Sequence, residues 1–295
     1  MKKFSVWGLI MAGSFMVTGI VMLLFSGVFI QGRLLEIAEA TRNNTFIDVG
    51  LEYVVGDGHL QTSSYDISKV QNIVIEAVEG DIRVVTGESD EIHVICTEDG
   101  RYGYDVSLKN GQLSVIRRWH VFNFSLPLFL LPGYGGGHDV VIELPKEYEA
   151  EGVKLSTVSG SIDADVLTAG NTVEISSTSG EIRSKGIHAG YSKVENISGS
   201  IIISRLSASN AAVTAVSGDI DLENCDTGTL KISSVSGSVD VENLSQPDEY
   251  SIRMDTVSGS RRLDGLGISD SGPAGSGLPR TLEISTISGS ISVNR

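Results

Sequence analysis

A five-residue motif that recurs seven times in the second half of the chain limits what the chain can fold into. The motif is usually an apolar residue, Ser, Gly, a small or acidic residue, and a second apolar residue. Successive copies of its glycine are 20, 19, 19, 19, 22 and 30 residues apart. These glycines are Gly160, Gly180, Gly199, Gly218, Gly237, Gly259 and Gly289. A period near 19 residues is typical of a fold built from stacked repeats, in which each unit contacts its neighbours.

Apolar residues occupy fixed places on both sides of each Ser-Gly. The positions five and two residues before the glycine, and two and four residues after it, are mostly Ile, Val or Leu. Such alternation predicts two β-strands per unit, one on each side of a bend at the Ser-Gly. Two residues after the glycines stand Ile162, Ile182, Ile201, Ile220, Val239, Arg261 and Ile291. Arg261 is the exception in this otherwise aliphatic column.

A single unit of this kind cannot fold alone. About six buried aliphatic side chains do not offset the conformational entropy that is lost when some nineteen residues become ordered. The units must therefore stack and share one core. We predict an all-β fold, a parallel β-solenoid of about 19-residue coils. The pattern leaves open whether each coil has two faces or three.

An apolar run before the repeats predicts a membrane anchor. Lys2 and Lys3 are followed by an uncharged run, residues 4–30, which is long enough to cross a bilayer as a tilted helix. A cleaved signal peptide, the alternative, has a shorter apolar core. We expect one N-terminal transmembrane helix in residues 1–31 and a juxtamembrane linker in residues 32–65. The excess of lysine before the span predicts a cytoplasmic N-terminus and an extracytoplasmic C-terminal domain at the cell membrane.

Residues 66–150 carry a degenerate form of the same pattern. Apolar residues alternate on both sides of Gly80, which predicts an eighth unit. Asn110-Gly111 lies between two alternating runs and predicts a β-hairpin. Residues 140–145 have the pattern of a further strand that ends at a proline. The regular solenoid repeats are predicted for residues 151–295.

Taken together, these features resemble one bacterial family. A ValGluGlyAspIle start at residues 78–82, the Asn-Gly hairpin, a strand that runs into Leu144-Pro145, and serial Ser-Gly coils are similar to the bacterial putative-adhesin family of unknown function, which includes LiaG-like membrane-anchored proteins. The similarity covers about residues 66–295. It implies a β-strand-repeat protein of the cell envelope, and it implies no agreed activity and no functional residues.

The insertion at residues 119–134 departs from that family pattern and is strongly apolar. Its prolines and the glycine run after it prevent one continuous helix or strand, and an exposed patch of this density exceeds what a soluble monomer normally carries. We expect it either to fold back as a cap over the first coils or to contact a membrane or a partner. The contact surface in the second case comprises Trp119, Phe122, Phe124, Leu128, Phe129, Leu130 and Tyr134.

Acidic residues define a second candidate surface. The formal net charge of the chain is −15, which argues against binding to nucleic acid and against adsorption on anionic lipid. Acidic side chains at outward positions would line one face of the late coils, at Asp221, Glu223, Asp240, Glu242 and Asp264. Because stacked like charges repel one another, this patch could attract a divalent cation or a basic partner, or it could be a solvated face.

The residues predict no catalytic site, no metal site and no cofactor. The five histidines show no metal-ligand spacing, and acidic pairs such as Asp163 and Asp165 are explained by strand alternation alone. Cys96 and Cys225 occupy apolar strand positions, which favours buried free thiols over the disulfide that an extracytoplasmic location would allow. No small-molecule substrate is expected.

The predicted function is that of a non-enzymatic, adhesin-like interaction module, anchored in the membrane, whose partner is an envelope protein or a wall polymer. The alternatives are a structural spacer or self-assembling element of the envelope and, less favoured, a carbohydrate-active β-helix enzyme. The coil that comes last in the sequence, with Ile291 and Val293, is expected to be an open edge at which the stack pairs with another strand.

Overall fold

The computed structural model describes residues 59–98, 102–119, 139–264, 266–267 and 277–295. Within these ranges it contains nineteen β-strands, two short 3-10 helices, Ile67–Lys69 and Pro247–Glu249, and no α-helix. The strands are β1 His59–Asp66, β2 Asn72–Glu76, β3 Ile82–Gly87, β4 Glu91–Glu98, β5 Tyr102–Lys109, β6 Gln112–Trp119, β7 Val140–Pro145, β8 Ala150–Ser159, β9 Ile162–Ser179, β10 Ile182–Ser198, β11 Ile201–Ile203, β12 Leu206–Ser217, β13 Ile220–Ser236, β14 Val239–Leu244, β15 Tyr250–Ser258, β16 Arg261–Leu263, β17 Leu266–Gly267, β18 Arg280–Ser288 and β19 Ile291–Asn294. The predicted all-β class is confirmed for this part of the chain.

The regular coils stack in parallel, each displaced from the last by one repeat. Ile175 of β9 pairs with Val194 of β10, which pairs with Val213 of β12 and, through it, with Ile232 of β13. All four residues stand five positions before a repeat glycine. The parallel stacking of about 19-residue coils, as the sequence predicts, is therefore observed.

Each coil pairs with its neighbour along three separate runs. Strand β10 pairs with β9 over residues 182–184, 186–189 and 191–196, and the register shifts between Ala189 and Tyr191. The other side of β10 pairs with β11 and β12 over nearly the same runs. The chain therefore bends more than once per coil, a point that the alternation pattern left open.

The repeat glycines form a column in which each member touches the next. Gly180 has a φ of +138°, and a Cβ atom on it would lie 2.0 Å from the carbonyl oxygen of Gly160. The backbone N–H of Gly160 donates to the carbonyl of Ser179 at 2.9 Å, so the coils are held together at this corner. Only glycine tolerates both the positive φ and this close approach.

The core consists of aliphatic columns that run through the stack. Ile162, Ile182, Ile201 and Ile220 are fully buried, and each pairs in register with the next. These are the inward positions that the alternation predicts. Burying such side chains in a shared core contributes about 2 kcal/mol each, which is why a coil is stable only between neighbours.

Both cysteines belong to this core. Cys225 pairs with Leu206 on one side and with Leu244 on the other, so it replaces an aliphatic residue in its column. Cys96 and Cys225 are buried thiols that are not joined in a disulfide, as predicted. Burial raises the pKa of the Cys225 thiol to about 12, so the thiol stays protonated and unreactive.

The N-terminal part continues the same stack. Strand β2 lies between β6 and β8, and β3 lies between β7 and β9, all in parallel. A Cβ atom on Gly160 would lie 2.0 Å from the carbonyl oxygen of Gly80, so Gly80 begins the glycine column and the eighth unit is confirmed. Asn110 and Gly111, both with positive φ, form the tip of the predicted hairpin, which is β5–β6. Strand β1 pairs antiparallel with β4, and β4 pairs antiparallel with β7.

At the C-terminal end, the order of the coils in space differs from their order in the sequence. Strand β18 lies between β13 and β15, and β19 lies between β14 and β16. The predicted open edge at Ile291 and Val293 is therefore wrong: both residues are fully buried, and Ile291 pairs with Val239 and with Arg261. The coil with β18 and β19 can lie between two other coils because every coil offers the same backbone pairing pattern. The 30-residue spacing before Gly289 also lets the chain return to this place.

Arg261 marks the coil that ends the stack. It stands where the other coils have Ile or Val, and its Nη1 donates to the carbonyl of Met254 at 3.1 Å. An inward-facing arginine would be costly between two coils. It is tolerated here because, in the described part of the structure, its coil stacks on one other coil only, and just the two-residue strand β17 lies on the other side of β16.

Tyr250 and Arg280 fasten the inserted coil. Tyr250 belongs to β15, yet its hydroxyl donates to the carbonyl of Thr227 at 2.7 Å and accepts from the Thr227 N–H at 2.9 Å, across the intervening coil. Arg280, in that intervening coil, pairs with Asp226 at 2.5 Å and with Glu249 at 3.3 Å. These contacts join three coils that the glycine and aliphatic columns alone would not distinguish.

Candidate interaction surface

Carboxylates follow the outer face of two adjacent strands. In β13 and β14, outward residues alternate with buried aliphatic ones, and the register places Asp221 beside Asp240 and Glu223 beside Glu242. Neighbouring strands of a sheet are about 4.8 Å apart. Asp219, which precedes β13 by one residue, extends the row. We call the following set the acidic ladder: Asp219, Asp221, Glu223, Asp240 and Glu242.

Like charges lie close together in the acidic ladder. The pKa of Asp221 is raised, first by partial burial and then by the charges of Asp219, Asp240, Glu181 and Glu223. The Oδ1 atom of Asp240 is shielded from solvent and has no hydrogen-bond partner among the described residues. Within the same residues, no carboxylate of the ladder forms an ion pair. Ionised Asp221 therefore destabilises the isolated fold, and a positive charge placed beside it would relieve that cost.

Earlier coils neutralise the corresponding outward positions. Asp163 of β9 lies in register with Arg183 of β10, and Asp165 Oδ1 is 2.5 Å from Lys185 Nζ. The other oxygen of Asp165 accepts from the Thr86 N–H at 3.0 Å. Partial burial acts to raise the pKa of Asp165, but the hydrogen bonds from Lys185 and Thr86 lower it overall. Charges of opposite sign thus face one another in β9 and β10. At the same positions, β13 and β14 carry acidic residues on both strands.

Asp264 lies apart from the acidic ladder. Because β19 stands between β14 and β16, the residue beside Glu242 is Asn294. Asp264 instead accepts hydrogen bonds from Nε and from the backbone N–H of Arg295, at 2.8 and 3.0 Å. These bonds lower the pKa of the Asp264 carboxyl. The structure thus brings together four of the five acidic residues singled out in the sequence and separates the fifth.

Asp219 belongs to the ladder although it is not among the acidic residues that strand alternation predicts for this surface. Its Oδ1 accepts from the Ser238 N–H at 2.8 Å, and its charge is one of the causes that raise the pKa of Asp221. A signal for it was present: Asp219 and Glu181 directly follow repeat glycines, a position that most regular coils fill with Ser.

The predicted apolar contact surface is described at one residue. Trp119 is the last residue of β6, where it pairs with Tyr102. The remaining members, Phe122, Phe124, Leu128, Phe129, Leu130 and Tyr134, lie outside the described residues. The same is true of the predicted anchor, residues 1–31; among the residues that are described, no helix has the length and hydropathy needed to cross a membrane.

A surface groove and the metal-ligating side chains are the other candidates for a binding site. A shallow groove of about 470 Å³ borders Arg280, but the guanidinium is already committed to Asp226, Glu249 and Gln246. In the described ranges, no group of three or more His, Cys, Asp or Glu side chains could hold a metal ion. The acidic ladder, an open row of carboxylates, better fits a series of ammonium or guanidinium groups, which bind carboxylates by charge-assisted hydrogen bonds.

The repeat architecture matches a known protein family. The family model described as Toastrack DUF4097 matches residues 70–294, which is most of the chain. The chain belongs to the Toastrack DUF4097 family. The match spans β2 to β19, so the acidic ladder is part of the Toastrack coils, and the family resemblance noted in the sequence is confirmed. No curated protein matches the chain.

Solved structures similar to this Toastrack chain share 10–17% of its residues. A putative adhesin from Bacteroides fragilis is 13% identical, with a TM-score of 0.46, over 80% of this chain and 97% of that one. A putative lipid binding protein from Parabacteroides distasonis is 17% identical, with a TM-score of 0.40, over 81% and 97%. A putative cell adhesion protein from Clostridium sporogenes is 10% identical, with a TM-score of 0.34, over 81% and 99%.

Proposed function

We propose that this Toastrack protein is a membrane-anchored, extracytoplasmic interaction module whose acidic ladder binds a basic segment of an envelope protein. The observation that carries the proposal is the register of β13 and β14, which sets Asp221 beside Asp240 and Glu223 beside Glu242. Oppositely charged neighbours accompany the corresponding residues of β9 and β10. The ladder is therefore the part of the repeat surface where a partner's positive charge is best accommodated.

The electrostatics give this preference a magnitude. Two unit charges about 4.8 Å apart repel by ~1 kcal/mol in water, and by more where solvent is partly excluded. Asp221 and Asp240 stand side by side on adjacent strands, and the charge of Asp240 is, after partial burial and the charge of Asp219, one of the causes that raise the pKa of Asp221. A lysine or arginine of the partner placed between them would replace repulsion by attraction, and it could donate to the unpartnered Oδ1 of Asp240.

The proposed role is non-enzymatic. The ladder carboxylates occupy outward strand positions, whereas catalytic carboxylates are usually held in a cleft that excludes water and positions a substrate. The net charge of −15 would favour the approach of a basic partner and disfavour an acidic one. Association should therefore weaken as salt concentration rises.

A binding titration tests the ladder. The full chain, purified in detergent micelles, would be titrated with a fluorescent oligolysine peptide at several salt concentrations. We expect the double variant Asp221→Asn with Asp240→Asn to bind roughly tenfold more weakly, since two exposed pairs contribute up to about 1 kcal/mol each. Asp163→Asn is the matched control, because Asp163 lies beside Arg183. Equal affinities for both variants, or affinity that does not depend on salt, would rule out the ladder as the binding surface.

The location is a separate part of the proposal and has its own test. It is supported by Lys2, Lys3 and the uncharged run at residues 4–30, which suit a single span with the C-terminal domain outside. External protease added to intact cells should digest the domain and leave a short membrane-bound fragment. Protection of the whole chain, or its release as a soluble form, would contradict this topology.

A further inference from the structure

Among the described residues, the strand β15, which ends the stack, has an unpaired edge. Strand β15 pairs with β18 on one side, and no strand within the described residues pairs with its other side. The carbonyl of Met254 points to that side, because it accepts from Arg261 in the end coil. Alternate residues of a strand direct their N–H and C=O groups to the same side, so Ile252 and Thr256 present theirs there as well. Such a row of unpaired groups is a template for another strand.

The outward side chains of β15 have a charge pattern that is complementary to itself. Ser251, Arg253, Asp255 and Val257 alternate with inward residues along the strand. Arg253 and Asp255 stand symmetrically on either side of Met254, the middle residue of the nine in β15. An antiparallel copy of the strand, centred on the same residue, would therefore present opposite charges at both positions.

We propose that β15 pairs antiparallel with β15 of a second copy of this chain, with the two-fold axis at Met254. In this register Arg253 lies opposite Asp255 of the second copy, and the reverse pair forms on the other side of the axis. Because the two Met254 residues form a hydrogen-bonded pair, the Arg253–Asp255 pairs are of the non-hydrogen-bonded kind, in which side chains lie closest. Ile252, Met254 and Thr256 of each strand supply the hydrogen bonds, since the carbonyl of Ser258 already accepts from the Gly289 N–H, and the symmetric contact closes as a dimer.

The surroundings of the strand agree with this pairing. Across the neighbouring strands β13, β18 and β15, Lys231 lies beside Glu283, which lies beside Arg253. The charges therefore alternate from strand to strand, and a carboxylate on the strand added next to β15 would continue the alternation. Asp255 of the second copy would supply it. In the single chain Arg253 turns along its own strand to Asp255, at 2.8 Å. Val257, which is 51% exposed at the end of the stack, would be partly covered by Ser251 of the second copy.

Arg261 does not block the contact. Its Nη1 takes one lone pair of the Met254 carbonyl oxygen, and a carbonyl oxygen has a second lone pair for a strand partner. The carbonyl can therefore accept from the second copy while Arg261 remains in place over the end of the core.

Cysteine crosslinking of the full chain tests the register. Ser251 and Val257 of the second copy would form a non-hydrogen-bonded pair with Cα atoms about 4.5 Å apart, which suits a disulfide. Two full-length chains in detergent micelles, one with Ser251→Cys and one with Val257→Cys, are mixed and oxidised. The mixture should form a disulfide-linked dimer on a non-reducing gel. Each chain alone should not, because its own two copies of the cysteine would be about 20 Å apart; the native Cys96 and Cys225 are buried.

Charge reversal tests the chemistry of the same contact. In the crosslinking pair, Arg253→Asp in both chains, or Asp255→Arg in both chains, places like charges opposite one another and should lower the crosslinked fraction at limiting concentration roughly tenfold. The combined variant R253D with D255R restores opposite charges and should restore crosslinking. Three results would each overturn the proposal. They are no crosslinking between the two cysteine chains that keep Arg253 and Asp255, equal crosslinking of each cysteine chain with itself, and no recovery of crosslinking in the combined variant.

Discussion

The column of repeat glycines predicts a large cost for a very small substitution, Gly199→Ala. Gly199 has a φ of +133°, and a Cβ atom on it would lie 2.2 Å from the carbonyl oxygen of Gly180 and 2.8 Å from the carbonyl carbon. The positive φ alone costs an L-residue about 1–3 kcal/mol. Relief of the overlap requires the two coils to move apart by about 1 Å, since non-bonded atoms approach no closer than about 3 Å.

That separation would weaken the hydrogen bonds on both sides of the substituted coil. The Gly180 N–H donates to the carbonyl of Ser198 at 3.1 Å, and the Gly199 N–H donates to the carbonyl of Ser217 at 2.9 Å. Each such bond contributes about 1 kcal/mol. Together with the backbone term, the expected loss in the free energy of unfolding is about 3–5 kcal/mol, which is large for the addition of one methyl group.

Gly277→Ala separates the two causes. Gly277 also has a positive φ, +87°, but no atom of the described residues lies within 4 Å of the position its Cβ would take. Gly277→Ala should therefore lose only the free energy that the positive φ costs an alanine. For a domain of this size, 1 kcal/mol corresponds to about 2–4 °C in Tm, so thermal unfolding followed by circular dichroism should give a fall of roughly 10 °C for Gly199→Ala and a few degrees for Gly277→Ala. Equal shifts would refute the close-approach argument.

Four further predictions concern single side chains. Ile201→Asp should destabilise several coils at once, because it buries an unpaired charge in an aliphatic column; an unchanged thermal midpoint would count against a shared core. Asp221→Asn should raise the midpoint of thermal unfolding at pH 7. The fold holds the pKa of the Asp221 carboxyl above 3.8, so ionisation of this carboxyl destabilises the native protein as pH rises from that value. The stability gained by the substitution should therefore vanish in acid, where the carboxyl is protonated. Asp165→Asn should lower the midpoint at pH 7, because its pKa is depressed below 3.8, and that loss should fade as pH falls through the folded-state pKa; shifts of the same sign for both aspartates would contradict these assignments. Tyr250→Phe should cost about 1–3 kcal/mol in urea unfolding, because the Thr227 N–H and carbonyl lose their partner; no change in the urea midpoint would show that this contact does not fasten the coil.

Much of the acidic ladder could be predicted from strand alternation. Asp221 and Asp240 are one repeat apart, and their coils are neighbours both in the sequence and in space, so their contact follows from the period. The same reasoning included Asp264, and there it fails because β19 lies between the two coils concerned. The raised pKa of Asp221 also depends on partial burial and on Asp219, neither of which the alternation pattern specifies.

The sequence by itself determined the coil: the bend at each Ser-Gly, the inward aliphatic columns, the need to stack, and the hairpin at Asn110. These follow from local backbone preferences and from contacts repeated between equivalent positions. Only the tertiary structure decided the order of the last three coils. Every coil carries the same glycine and aliphatic columns, so it can pair with any other, and the repeat pattern does not specify its neighbour. Contacts between distant residues do, such as Tyr250 with Thr227 and Arg280 with Asp226. Arg261 departs from the repeat because its coil, rather than the coil at the end of the sequence, closes the stack.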